Sequence, residues 1–215
     1  MNKIGILGSS NVAKSLAIGF LKHGYEVKLG ARSLNKLYDF KREYDKVLLG
    51  SFQDAASFGE IIVLAISGYA AKEVLEICGR GSLKSKIIID PTDPVDKIPV
   101  VDGVLSFFTS LKSSLMEELQ AHFPEAHFVK AFNSVGHELM VNPNFGDIIP
   151  TMFICGNNEE AKTEVTKILV KFGWESEDIG KVQCARAIEP LCILWCARAF
   201  KTNQWSHAFK LIKTK

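Results

Sequence analysis

The first thirty-three residues constrain this chain more than any other stretch. An apolar run, Lys3-Ile4-Gly5-Ile6-Leu7, delivers a turn of small residues, Gly8-Ser9-Ser10-Asn11-Val12-Ala13, into a segment with helical periodicity. A second apolar run then ends at Leu29-Gly30-Ala31-Arg32-Ser33. Val12, Leu16, Phe20 and Leu21 recur at helical spacing, and Gly24 stops the helix ahead of Tyr25-Glu26-Val27-Lys28-Leu29. In such a strand, turn, helix and strand unit, the turn aims free backbone N–H groups at the space beyond it, where the helix dipole favours an anion. In a dinucleotide site that anion is a pyrophosphate.

The small residues have separate jobs. Gly8 permits the tight bend, position 10 lets the backbone approach the phosphates, and position 13 lets helix pack on strand. Ser10 stands where the fingerprint has its second glycine, and Ala13 is the accepted small variant of the third. The motif is degraded and gains its force from the order of elements around it. Gly8, Ser9, Ser10, Asn11 and Val12 open the set of expected cofactor-binding residues.

The end of the second strand selects the dinucleotide. No acidic residue lies between Gly30 and Lys36, so the ribose 2′-OH of NAD would lack its usual acceptor. Arg32 and Ser33 occupy that position, with Lys36 about one helical turn further on. They supply a planar fork, a hydroxyl and an ammonium suited to a 2′-phosphate, which makes NADP(H) the expected cofactor. A solvated arginine heading a surface helix is the competing explanation.

Beyond this unit, strand and helix patterns keep alternating, as in an α/β doubly wound, mostly parallel sheet of the Rossmann NAD(P)-binding type with a C-terminal helix. Ile61-Ile62-Val63-Leu64-Ala65-Ile66 has the unbroken apolarity of a strand covered on both faces, and Ser67-Gly68-Tyr69 is the expected loop at its end. Ile87-Ile88-Ile89-Asp90 breaks at Pro91-Thr92-Asp93-Pro94, where two prolines forbid a regular helix. His127 to Phe132 is a further strand, followed by Asn133-Ser134-Val135-Gly136 and an expected helix. Ligands in open α/β sheets bind at these carboxyl ends, which puts Ile66, Ser67, Pro91, Thr92 and Asn133 on the ligand edge.

The last third continues with Thr151 to Gly156, a helix burying Ala161, Val165, Ile168, Leu169 and Phe172, and a strand from Trp174 to Ile179. Ile188, Leu191, Cys192 and Trp195 mark a terminal helix that Pro190 starts late or kinks. The pattern predicts one domain over 1–215, with a dinucleotide-binding core at 1–135 and a sheet extension with C-terminal helices at 136–215. Arg186 and Glu189, three apart, read as an ion pair within that helix.

The 215 residues are 47% hydrophobic and 23% charged with a net charge of +2, which argues against a nucleic-acid partner. Strand-like sequence from residue 3 and apolar runs too short for a bilayer point to a cytoplasmic protein without membrane contact. Five cysteines without CxxC spacing and scattered histidines predict neither disulfides nor a metal. Cys192 and Cys196, four apart, read as core packing. A homodimer is the commonest soluble oligomer, and no residue here specifies one.

Gly8 through Arg32, Val129-Lys130-Ala131-Phe132-Asn133-Ser134-Val135-Gly136, Met152 to Gly156 and Ala185 to Leu191 resemble the NADP oxidoreductases dependent on coenzyme F420. The chain is also similar to the cytosolic NADPH domain of the six-transmembrane metalloreductases, which carries the same Lys-Ala-Phe-Asn signature. The resemblance implies hydride exchange between NADPH and a deazaflavin (coenzyme F420) or a flavin (FMN or FAD) stacked on the nicotinamide, with Arg32 and Ser33 on the 2′-phosphate. Ser10 departs from the pattern, as does Asn133, which stands where some archaeal members have histidine.

Hydride transfer between two rings needs distance and orientation more than side-chain chemistry. Ile66 and Ser67 are expected against the nicotinamide, Pro91 and Thr92 beside them, and Asn133 near the carboxamide or the acceptor, unless Asn133 caps the helix that follows. No catalytic residue is assigned. Asn133 and His137 are the candidates, His137 because its charge changes near neutral pH. The partner is a small-molecule redox acceptor. The alternatives are an NADPH-binding redox sensor without turnover and a flavin or ferric reductase. An imine reductase of the pyrroline-carboxylate type would need a second helical domain.

Overall fold

The structure is a computed structural model that describes residues 2–214. β1 (Lys3–Leu7) turns through Gly8-Ser9-Ser10 into α1 (Asn11–Lys22), and β2 (Glu26–Gly30) follows. Helix α1 forms because the Ser10 hydroxyl accepts the Ala13 N–H at 3.3 Å and because Ala13, Leu16, Ala17 and Phe20 make one buried stripe. A 3-10 turn at Leu34–Leu37 leads into α2 (Tyr38–Glu43), β3 (Leu48–Gly50) and α3 (Phe52–Phe58). Ser51 and Asp54 cap α3 reciprocally. Next come β4 (Ile61–Leu64), α4 (Gly68–Cys78), the single turn α5 (Arg80–Leu83) and β5 (Ile87–Asp90). Every residue of β4 and β5 is buried, as strands covered on both faces require.

The chain continues through α6 (Leu115–His122), β6 (His127–Lys130), β7 (Thr151–Ile154), α7 (Glu159–Lys171) and β8 (Glu175–Asp178). It closes with α8 (Ala185–Ile188) and α9 (Leu191–Thr202). Pro190 stands between these two helices and heads the second, so the expected interruption falls there.

Six parallel strands make the main sheet in the order β3-β2-β1-β4-β5-β6. This is the doubly wound α/β architecture. Alternation along β4 sends Ile61 and Val63 into one apolar core and Ile62 and Leu64 into the other, one on each face. The strand order reverses between β1 and β4, and a crevice opens outside the carboxyl ends there.

Four features differ from the sequence reading. β7 and β8 form their own parallel pair, joined to β6 by the single antiparallel bridge of Lys130 with Cys155. The helix expected after Gly136 is only a 3-10 turn, His137–Leu139. Arg186 and Glu189 do not pair with each other: the Arg186 guanidinium meets Glu117 on α6, and Glu189 turns inward to Lys130. Finally, the segment between β5 and α6 carries a narrow hairpin, bridged at Val95 with Phe107 and Val101 with Val104. Asp102 and Gly103 at its tip both have positive φ, 51° and 78°, as a tight two-residue hairpin turn requires.

Candidate dinucleotide site

A cleft of about 420 Å³ occupies the crevice at the reversal point. Gly8, Ser9 and Ser10 come to it from β1, Arg32, Ser33 and Lys36 from the end of β2, and Ile66 and Ser67 from the end of β4. Gly8 holds φ at 143°, and a Cβ there would sit 2.1 Å from the Ala65 carbonyl oxygen, so no other residue fits the turn. Position 10 has no such demand. Ser10 is extended (φ −73°, ψ 173°), and its hydroxyl both caps α1 and donates to the Ala65 carbonyl at 3.3 Å. The serine therefore does its work by fastening the turn to the end of β4. Asn11 and Val12 supply N–H groups from the first turn of α1, while the Val12 side chain packs against the core.

Arg32 and Lys36 are exposed, and among the described residues neither is paired with a carboxylate. Ser33 heads the 3-10 turn without using its side chain as a cap. A fork, a hydroxyl and an ammonium thus stand uncommitted at one end of the cleft. At the other end, Ser67 precedes α4 and makes no side-chain capping bond, and Gly68 is already the first residue of that helix. The cleft wall also includes Phe52, Ala70 and Val74, which carry no motif and were not legible as site residues.

Thr92, Asn133 and His137 take other places. Thr92 is buried, with its N–H and hydroxyl donated to Asp90 Oδ1 at 2.9 and 2.6 Å and its carbonyl accepting from Lys130 Nζ at 2.7 Å. It braces the loop after β5, and Pro91 precedes it at partial exposure. Asn133 does not cap a helix. Its Nδ2 donates to Asp93 Oδ1 at 3.1 Å and to the Ile188 carbonyl at 3.0 Å, while its Oδ1 is buried without a partner. The residue before it, Phe132, is a buried aromatic at φ 67°, a strained conformation that costs on the order of 1–3 kcal/mol. That strain sits where the chain leaves β6 and aims Asn133. His137 lies outside the cleft, in a groove against α1, with Nδ1 3.2 Å from Ser15 Oγ.

Behind the ligand edge lies a buried ionic cluster that the sequence reading missed. Lys130 Nζ lies 2.7 Å from Asp90 Oδ2 and 3.1 Å from Glu189 Oε1, all enclosed. Glu189 also accepts the Leu115 and Met116 N–H groups, at 3.1 and 3.0 Å, at the start of α6. Burial alone would push the Lys130 ammonium down, but the Asp90, Glu189 and Asp93 carboxylates together hold it above its ordinary value. Burial pushes the Asp93 carboxyl well above the usual carboxylate range, against the pull of Lys130 and the hydrogen bonds from Cys192 and Asn133. One signal for this cluster was present: Asp90 ends an otherwise apolar strand, and Lys130 follows the apolar pair Phe128-Val129 at the end of β6.

A dinucleotide suits these residues. The glycine at position 8 leaves room that a Cβ would fill, and the partnerless Asn133 oxygen is a buried acceptor that lacks only a donor. Sheet order, turn and cleft define a Rossmann-type dinucleotide-binding protein. Residues 3–94 match the family described as NADP oxidoreductase, coenzyme F420-dependent.

A crystal structure from Arthrobacter sp. FB24, described as a candidate F420-dependent NADP-reductase, superposes with a TM-score of 0.92 at 28% identity, covering 98% of this chain and 99% of that one. Metalloreductase STEAP3 of Rattus norvegicus is 28% identical over 191 residues, 88% of this chain and 36% of that protein. The chain thus spans about a third of the length of the curated relatives it matches. An imine reductase from Myxococcus stipitatus, solved with NADP+, shares the fold alone: TM-score 0.69, 15% identity, 94% of this chain and 64% of that one. Among the described residues no helix is long and apolar enough to cross a membrane.

Proposed function

We propose that this protein is an NADP(H)-dependent oxidoreductase that exchanges a hydride between NADPH and a small-molecule ring acceptor, a deazaflavin or a flavin. The observation that carries the reading is the meeting, in one cleft, of the Gly8 turn with the uncommitted Arg32, Ser33 and Lys36. The turn and the first N–H groups of α1 suit a pyrophosphate. Arg32 and Lys36 suit the 2′-phosphate, with Ser33 as a neutral donor. Ile66 and Ser67 would flank the nicotinamide, and Asn133 Oδ1 would accept from its carboxamide. When bound, the dinucleotide supplies the hydride, while the chain supplies orientation and a shielded face.

The full-length similarity to the Arthrobacter protein supports a deazaflavin acceptor. A flavin or ferric acceptor is the second reading, supported by the similarity to metalloreductases over 88% of this chain. The test is NADPH oxidation followed by absorbance, with coenzyme F420, FMN, FAD and a ferric chelate offered separately. Saturable turnover with the deazaflavin establishes the first reading, and turnover with flavin or iron alone establishes the second. Tight NADPH binding without turnover contradicts both and leaves a sensor.

A further inference from the structure

Helix α9 is apolar on every side. Leu191 to Ala197 are seven consecutive apolar residues, and Ala199 and Phe200 follow. A helix without a polar face is ordinarily enclosed. Only Trp195 and Ala199 of its twelve residues are buried. The inner side packs against the loop after β6, where a Cβ on Gly136 would lie 3.0 Å from the Trp195 ring. The outer side is open: Leu194 is 59% exposed and Phe200 45%.

The hairpin between β5 and α6 extends this open face. A Cβ on Gly103 at its tip would meet the Phe200 Cβ at 3.3 Å, and Val100, Val101 and Val104 beside the tip are all exposed, Val101 by 67%. Trp205, just past the helix, continues the face with its ring centroid 5.3 Å from that of Phe200. Six large apolar side chains, each about half open to water, present roughly 500 Å² of apolar surface. That is near the upper end of what a monomer leaves exposed, and it is the greater part of the about 800 Å² per partner in a standard interface. Between the hairpin tip and the helix runs a groove of about 570 Å³, with Leu194, Ala197 and Phe200 as its apolar wall.

Asp102, Arg198 and Lys201 line the same groove. Among the described residues, none of the three takes part in an ion pair. An apolar face that carries both signs of charge uncommitted is complementary to itself when turned about a two-fold axis. A lipid surface matches it less well. An interfacial helix divides into a basic polar face and an apolar one, whereas α9 has no such division and the acidic Asp102 stands at the apolar tip. At twelve residues α9 is also too short to span a bilayer.

We propose that this face is the interface of a two-fold symmetric homodimer. The hairpin tip and α9 of one copy pack on the same elements of a second copy, so that each groove receives apolar side chains from the other chain. Asp102 of each copy then meets the basic pair Arg198 and Lys201 across the axis. Assembly needs no bound dinucleotide. It covers the outer side of the helix whose inner side, through Trp195, supports the loop that carries Asn133.

The test is sedimentation velocity of the full chain without ligand from about 1 to 100 µM, a range that brackets a micromolar dissociation constant. The expected mass at the upper end is twice the 23.8 kDa of one chain. Leu194→Asp buries an unpaired charge twice in the interface and is expected to raise the dimer dissociation constant at least about a hundredfold. Asp102→Asn suits the positive φ of the tip and keeps the fold, and loss of its two symmetric ion pairs is expected to cost about tenfold. Hydrogen exchange of the unaltered chain reads the same contact without a variant: raising the concentration should slow exchange in residues 98–104 and 191–202. A single-chain mass at every concentration overturns the inference, and flotation of that monomer with phosphatidylserine vesicles would give the face to a lipid surface. A dimer whose dissociation constant is unchanged in both variants, or whose protected amides lie elsewhere, also overturns it.

Discussion

The Lys130 ammonium lies 3.1 Å from the Glu189 carboxylate, and both side chains are enclosed. This contact ties β6 to the α8–α9 junction. Through the Thr92 carbonyl, the same ammonium fixes the loop that leaves β5. The C-terminal helices are therefore attached to the ligand edge by a buried charge network as well as by apolar packing. Replacing Lys130 with Met leaves two buried carboxylates without their counter-ion and is expected to destabilise the fold by about 3–5 kcal/mol. Urea unfolding measures this, and a loss below about 1 kcal/mol would show that the network relaxes around the change.

Gly8→Ala should act on binding most directly. The new methyl would meet backbone, the Ala65 carbonyl oxygen at 2.1 Å, so the turn has to move away from β4. A displacement of about 1 Å in a positioning element costs on the order of a hundredfold, and NADPH affinity should fall by that much. An unchanged dissociation constant in fluorescence titration would separate the Gly8 turn from the phosphates.

Arg32→Ala tests the choice of dinucleotide. Loss of one charge-assisted bond of about 1.5–3 kcal/mol weakens NADPH binding by roughly ten- to a hundredfold and leaves NADH nearly unaffected. Equal losses for both would place Arg32 away from the 2′-phosphate.

Asp93 makes stability depend on pH with a definite sign. Its folded-state pKa is raised, so the folded chain holds a proton that the unfolded chain releases. That contribution is full below the unfolded value of about 3.9 and is lost as pH rises towards the raised folded value. Urea midpoints of Asp93→Asn should therefore lack a downward limb that the unaltered chain shows over this window. Parallel pH profiles would mean that Asp93 is ionised in the folded chain.

The local parts of this architecture could be read from the chain because they rest on short-range physics. The apolar runs of β1, β2, β4, β5 and β6 and the helical recurrence of Val12, Leu16, Phe20 and Leu21 each declare their element within a few residues. The cleft was legible for the same reason: Gly8 to Ser10, Arg32 to Lys36 and Ile66 to Ser67 end consecutive elements whose order fixes where they meet. Contacts between distant segments were not legible. Arg186 and Glu189 have the spacing of a helix pair, yet each finds a better partner far along the chain, Glu117 and Lys130. Asn133 reads equally as a cofactor contact or a helix cap, because no local signal shows that Phe132 adopts positive φ and turns it towards Asp93. The hairpin between β5 and α6 is announced only by Asp102-Gly103 at its tip.

The central claim is that the cleft is built for NADP(H). Fluorescence titration of the unaltered chain with NADPH and NADH in parallel tests it most directly. The account predicts saturable binding of NADPH at least about tenfold tighter than NADH, the advantage expected of one charge-assisted contact to the 2′-phosphate. Equal affinity for the two, or tighter binding of NADH, would contradict it.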